Sequence, residues 1–424
     1  LEPTQQRFFE NLGVFAGGAT VEQIEAVNAD VDPIEVWETL EALIDSSLVT
    51  RHDAHGEPHF RMLELVAEDA ARRLATRPDV AVIHDRHAAA YLALAEQAAP
   101  ELVGPHRAMW LRRLAEEYPN LLAAHDWAIE QPDADTALRM AFALWRFFQM
   151  DGHLDAAVDR INAALALDGG SPGARAKALE AAGGVAYWRG EFALQYNYYE
   201  AALAIWRQLD DPAEVANACY NLAYSTYGQL GFEAAIALLE EAETVYLATN
   251  DRVGLGRVYW SWGNLHQLED DLDRALAYSR RSIEYFDPDH DIFDLGWAEF
   301  VLGECLLHAG SVDEARRHFR AGFELFLDAG DQSAIVLFLG AFAELTRAMG
   351  DLDASARLVG AMVALRHKTG AGFLDTDPVH EQLAELRQPE DPTQRAALEA
   401  GAEMTVDEAI ALALDRTADS VSVD

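Results

Sequence analysis

Leu302-Gly303-Glu304-Cys305-Leu306-Leu307-His308-Ala309-Gly310-Ser311-Val312-Asp313-Glu314-Ala315 decides how this chain folds, because its pattern returns every 40 residues between Leu179 and Val363. The large–small pair at its head recurs as Leu222-Ala223, Trp262-Gly263 and Phe342-Ala343, with Ala182-Gly183 opening the series. A turn signal stands seven residues past each small position: Gly190, Leu230 (beside Gly231), Asp270, Gly310 and Gly350. An apolar residue follows two further on, at Phe192, Phe232, Leu272, Val312 and Leu352. Three later comes a small one at Ala235, Ala275, Ala315 and Ser355, with Gln195 the exception. Asp210, Asn250, His290, Gly330 and Gly370 close the copies. A strict period of roughly 20–50 residues is the mark of a solenoid, and this spacing reads as helix–turn–helix.

The flanks differ in character. In residues 1–75 a short helical pattern from Pro3 ends at Gly13, and Thr20-Val21-Glu22-Gln23 has the capping-box form. Pro33 begins a third helix with an apolar period at Ile34, Trp37, Leu40, Leu43 and Ile44. Two short strands around His55-Gly56 and a resumed helix at Leu65–Leu74 complete a winged-helix order. Residues 76–135 read as a helical connector, with one helix over His84–Gln97 and one long helix over Arg107–Gln131. The solenoid is expected over 136–370 in about six copies, the first shifted in register at Gly169-Gly170-Ser171-Pro172-Gly173. A helical cap and polar tail are expected over 371–424, with breaks at Pro378, Pro389 and Pro392 and a last helix capped at Thr405. The fold class is therefore mostly α: a winged helix with a small β-hairpin, then an α-solenoid.

Asp and Glu number 72 against 32 Lys and Arg, a formal charge of −40. Such a field repels phosphate backbones, and the third helix adds Glu35, Glu38, Glu41 and Asp45, so direct nucleic-acid binding by this chain is disfavoured. The two cysteines, Cys219 and Cys305, stand about two repeats apart, too far to bridge, and read as reduced core residues of a cytoplasmic protein. No run of apolar residues is long enough for a membrane helix. The chain starts at Leu1, not Met, so a longer parent protein is expected.

Large–small on one helix, Gly at the turn and Ala early on the next resemble the tetratricopeptide repeat in a 40-residue variety. Three segments, Phe9–Gly18, Leu43–Val49 and Phe60–Val66, resemble STAND-class signalling ATPases of actinobacteria. So do Trp110-Leu111, Glu117-Tyr118, Asn120-Leu121 and Ala400–Ala409. The resemblance implies a nucleotide-binding domain ahead of this region in the full-length protein, a repeat sensor within it, and an output that is either a LuxR-type DNA-binding domain or a class III cyclase. No phosphate-binding loop occurs in the chain, and Leu63 stands where many relatives carry a nucleotide-contacting His. No cofactor is expected, and no catalytic constellation is found.

Several motifs invite chemistry and lose to plainer readings. Gly169–Gly173 matches G-x-S-x-G but joins helices. Asp287-Pro288-Asp289-His290-Asp291 lacks the Gly and Glu of a calcium loop and reads as an inter-repeat turn. His84 and His87 lack further ligands, and His52, His55 and His59 read as solvated wing residues. The best candidates are aromatics on the first helix of each repeat, at three before, one after and four after the small residue. This face collects Tyr220, Tyr224 and Tyr227, then Trp260, Asn264 and Gln267, then Phe300, Glu304 and Leu307, bordered by Tyr187, Trp188, Arg257 and Trp297. In tetratricopeptide arrays it lines the concave groove, where a small-molecule or peptide inducer, or a partner protein, would lie. The competing readings are that these rings only pack helix on helix, or that the groove holds a partner constitutively without switching.

Overall fold

A computed structural model describes residues 1–54, 57–371 and 391–416. The turn expected at His55-Gly56, the breaks at Pro378 and Pro389 and the tail Thr417–Asp424 lie outside the described residues. The fold is mostly α with one small sheet, as the patterning requires.

The chain begins with α1 (Pro3–Asn11), β1 (Ala19–Thr20), α2 (Val21–Val27), α3 (Pro33–Asp45), β2 (Thr50–Ala54), β3 (Glu57–Arg61) and α4 (Glu64–Ala75). Thr20 and Gln23 form the expected capping box, and the Asp32 carboxylate accepts from Ile34 N ahead of Pro33. The antiparallel hairpin β2–β3 is extended by β1, which pairs Ala19 with Phe60. Two residues are too few to show alternation, so the sequence does not reveal β1. The apolar face of α3 is the expected one at Leu40 and Leu43 but not at Ile34 and Trp37. Val36, Leu40 and Leu43 are fully buried against Phe8, Phe9 and Ile24, whereas Ile34 is 71% and Trp37 39% exposed. Positions 36, 40 and 43 satisfy the helical period as well as 37, 40 and 44 do, and only one stripe can face the core.

The connector consists of α5 (Val80–Glu101), α6 (Arg107–Glu116) and α7 (Tyr118–Glu130). α5 is longer than expected and carries Pro100 in its last turn. The single helix expected over Arg107–Gln131 is two. Glu117, with ψ near 2°, breaks it, and Pro119 starts the next helix where its missing N–H costs nothing. The break positions a clamp. The Glu117 carboxylate, buried, accepts from Tyr91 Oη at 2.8 Å and Asn120 Nδ2 at 3.1 Å, and its Oε1 lies 2.8 Å from His59 Nε2 on β3. Asn120 also donates to Gly18 O and accepts from Ala16 N, which ties the connector to the loop before β1. His59 is therefore buried rather than a solvated wing residue.

Twelve helices follow in pairs. They are α8 (Ala134–Met150), α9 (Leu154–Leu165), α10 (Pro172–Trp188), α11 (Phe192–Leu209), α12 (Pro212–Leu230) and α13 (Phe232–Thr249). The rest are α14 (Arg252–Leu268), α15 (Leu272–Ile283), α16 (Ile292–His308), α17 (Val312–Leu327), α18 (Gln332–Ala348) and α19 (Leu352–Thr369). The small position earns its size: a Cβ on Gly183 would meet the Tyr199 ring at 2.5 Å, and one on Gly303 the Phe319 ring at 2.6 Å. Both partners stand 16 residues later, on the second helix of the pair. A second stripe escapes the reading above. Ala176, Ala216, Gly256 and Gly296 are small in register, and Trp206, Tyr246, Phe286 and Phe326 are buried aromatics in register. Gly256 seats Phe286, and Gly296 seats Phe326. Gly190, Asp270, Gly310 and Gly350 take the positive φ that a turn between paired helices needs.

The solenoid closes on itself. Ser333 Oγ at the start of α18 donates to Gln149 O at the end of α8, and Gln149 Nε2 reaches Asp331 Oδ1. Gly152 sits against Thr369, and Gly370 against Leu154 and Asp155. One apolar cluster consequently runs from the connector and first repeats across to α16–α19, while the middle repeats hold a second. Two capping helices, α20 (Pro392–Ala402) and α21 (Val406–Arg416), cover α19 and α18. Thr405 and Glu408 form the expected cap of α21.

Candidate functional site

The first helices of successive repeats turn one face inward, and closure of the ring makes that face a cavity of ≈ 390 Å³. The lining follows the helical period. Six before the small position stand Lys177, Asn217, Arg257, Trp297 and Leu337; three before, Glu180, Tyr220, Trp260 and Phe300. Two before stand Asn221, Ser261 and Val301; one after, Gly184, Tyr224, Asn264 and Glu304. Those four offsets are i, i+3, i+4 and i+7, one face of a helix. The expected site residues Tyr187, Trp188, Tyr220, Tyr224, Arg257, Trp260, Asn264, Trp297, Phe300 and Glu304 are brought together here. Tyr227 and Gln267 are not. At four past the small position the helix has turned away: Tyr227 donates to Glu269, and buried Gln267 accepts from Cys305 Sγ at 3.0 Å.

The sequence reading placed an early repeat here but named none of the lining residues of α8. Its turn at Gly152 precedes Gly190 by 38 residues, not 40, so α8 aligns only in its own register. In that register Phe142, Ala143 and Arg146 take lining positions, and Trp145 fills the small position because Gly184 opposite leaves room, a Cβ there meeting the indole at 2.6 Å.

Rings dominate the walls. Tyr187 meets Tyr224 edge-on at 6.0 Å, Tyr220 meets Trp260 at 6.3 Å, and Trp188 reaches across the ring to Trp297 at 5.7 Å. Charges are mostly paired. Arg257 forms a fork with Asp294, Nε to Oδ1 at 2.7 Å and Nη2 to Oδ2 at 2.9 Å. Burial opposes the Arg257 charge, but Asp294 more than reverses this and holds the guanidinium above its usual pKa. Lys177 contacts Glu180 and Glu214, and burial lifts the Glu180 carboxyl against the pull of Lys177. Asn217, Asn221 and Asn264 make no side-chain hydrogen bond among the described residues and are open to a ligand.

The other candidates resolve plainly. Ser171 caps α10 by accepting from Ala174 N, so Gly169–Gly173 is a linker. Asp287 accepts from Asp289 N, and Asp291 from Asp287 N, which spends the carboxylates on the turn. His84 stacks on Trp127, and His87 is buried against Asn120, with burial pushing it down to about 4. His52, His59 and Glu116 are the only described His, Cys, Asp or Glu groups close enough together to hold a metal. Cys219 and Cys305 are both free and buried. No described helix is long and apolar enough to cross a membrane.

No family model matches the chain. Over 326 residues it is 29% identical to proteins of Mycobacterium bovis and Mycobacterium tuberculosis named as HTH-type transcriptional regulators. The chain is similar to bacterial transcription regulators. The match takes in 74% of this chain and 36% of the relatives, so the chain spans about a third of the length of the curated relatives it matches. Among solved structures, the Pyrococcus horikoshii STAND protein with a tetratricopeptide repeat sensor aligns with a TM-score of 0.46 at 11% identity, over 95% of this chain and 63% of that one. A Rap protein complexed with competence and sporulation factor aligns at 0.48 and 14% identity, over 86% and 99%.

Proposed function

We propose that this chain is the non-catalytic sensor region of a signalling or transcription-regulatory protein, and that it binds an inducer, a small molecule or a peptide, inside the ring. The observation that carries the reading is an aromatic cavity with three amide side chains free of hydrogen bonds pointing to it on a regular helical face. Rings give stiff contact area at low entropic cost, and unspent amides orient a ligand. In the full-length protein a nucleotide-binding domain would precede residues 1–75, the winged helix, and residues 76–135 would relay the state of the repeats over 136–370, with α20 and α21 as their cap. Binding changes the output only if the resting and active states differ in affinity for the ligand.

The test is a thermal-shift screen of sugars, nucleotides, organic acids and short peptides against the parent and Trp260→Ala and Tyr224→Ala. A ligand that raises the melting temperature of the parent and not of the variants supports the reading. A saturable partner that leaves assembly unchanged, with or without ligand, would instead make the chain a constitutive scaffold.

A further inference from the structure

The cavity holds three cations, and they are not alike. Arg257 and Lys177 each have a carboxylate within hydrogen-bond reach. Arg146 has none: among the described residues its one side-chain hydrogen bond runs from Nη1 to the amide oxygen of Gln149, at 3.3 Å. The guanidinium lies over the Trp145 ring at 4.0 Å and over the Phe293 ring at 4.8 Å, so aromatic faces from α8 and α16 cover it. The carboxylates whose fields reach it make no direct bond to it: Asp294 is held by Arg257, and Asp331 accepts from Ala334 N and Gln149 through Oδ1, its Oδ2 having no hydrogen-bond partner among the described residues. Tyr199 and Arg257 are the remaining titratable groups that act on it. Burial outweighs the pull of these carboxylates and takes its pKa down to about 10, which leaves it charged at neutral pH.

A charged group half out of water with most of its donors unspent is costly unless a partner arrives. The guanidinium presents a planar fork that matches a carboxylate in bidentate fashion. The chain as a whole carries a net charge of −40, so a surface site would repel anions, whereas inside the ring the guanidinium lies against aromatic faces.

Resting on the sensor reading above, we propose that the ligand is an aromatic or hydrophobic carboxylate whose anionic end is bound by Arg146, with the amides of Asn217, Asn221 and Asn264 along its polar edge. The carboxylate belongs either to a free organic acid or to the C-terminus of a short peptide; the recognising chemistry is the same.

The experiment titrates the chain, by quenching of its cavity tryptophans, with aryl acids and their neutral amides, and with aromatic tripeptides bearing free or amidated C-termini. In the parent the free acids bind roughly ten- to a hundred-fold tighter than the amides, the worth of a charge-assisted hydrogen-bond pair. In Arg146→Gln that ratio falls to about one while the amides keep their affinity. Arg146→Lys, which keeps the charge but not the fork, retains part of the preference. Melting curves confirm that both variants fold. Whichever of the two acid series shows the preference identifies the source. Acids and amides binding the parent equally would overturn the carboxylate assignment and leave the cavity a sensor site. Absence of binding by every probe would overturn the carboxylate assignment, and silence of sugars and nucleotides as well in the thermal-shift screen would overturn the sensor reading.

Discussion

Glu117→Ala tests the clamp between connector and winged helix. The substitution removes the acceptor of Tyr91 Oη, whose residue is wholly buried, and the partner of His59 Nε2. Asn120 keeps its bond to Gly18 O and so suffers least. Each orphaned buried group costs about 1–3 kcal/mol, and the space left by the side chain adds about 1 kcal/mol. The expected loss is about 4 kcal/mol, a large part of the ~5–15 kcal/mol that stabilises a domain. Glu117→Gln should lose only about 1 kcal/mol, because its carbonyl can still serve Tyr91 and Asn120 while its amide faces His59, which can present a lone pair. Urea unfolding followed by total fluorescence and by limited proteolysis near residue 76 reads both. In the alanine variant residues 1–75 should become protease-sensitive before the repeats unfold. A Glu117→Ala chain within about 1 kcal/mol of the parent, or a His59→Ala and Glu117→Ala cycle with no coupling, would refute the clamp.

Two further outcomes follow from burial. His87 and His125 both sit near 4, pushed down by burial, against an ordinary value of 6.5. Between those values the unfolded chain takes up protons that the folded chain refuses, so stability is complete above 6.5 and is lost as pH falls towards 4. Asp331, raised by burial to about 6, acts with the opposite sign: its contribution is present below 3.8 and is lost as pH rises through 6. At about 1.4 kcal/mol per unit, the net loss from neutral pH to 4 is on the order of 4 kcal/mol, checked by urea midpoints across that range; in His87→Gln with His125→Gln the slope should reverse, leaving the gain of about 3 kcal/mol from Asp331. Gly303→Ala should destabilise by about 1–3 kcal/mol despite better helix propensity, because the buried Phe319 ring cannot yield. Gly228→Ala, where a Cβ meets nothing, should stabilise by about 0.5–1 kcal/mol; equal effects at the two sites in thermal melts would refute the packing account.

The repeat was legible because each copy meets the same demand, a glycine or alanine under the side chain 16 residues on, whether that is Tyr199, Phe319 or the smaller Ser279. The phase of the inner face was not. The sequence pointed to offsets around Tyr224 and Asn264, which the fold brings to the cavity, but it extended one turn too far, to Tyr227 and Gln267. The −6 position, with Lys177 and Asn217, shows no common chemistry from copy to copy, so only the helical period could have found it. Arg146 was hidden by the two-residue register shift ahead of α10. Glu117 and Asn120 were legible as a resemblance but not as a clamp, since their partners stand 58 and 102 residues away. Trp37 was misplaced because two stripes of α3 fit the same period and the choice lies in α1.

An open stack of helix pairs behaves as a spring: its end coils fray first, and each pair answers mainly to its neighbours. Here the Ser333–Gln149 bond and the glycine contacts at Thr369 and Asp155 join the two ends of the coil. A coil fastened into a hoop has no free end from which to unravel and no single pair that can shift alone. Strain applied at one point is shared around the circumference. Inside that hoop Trp188 of α10 and Trp297 of α16 stand 5.7 Å apart, so the two sides of the coil also meet through their rings.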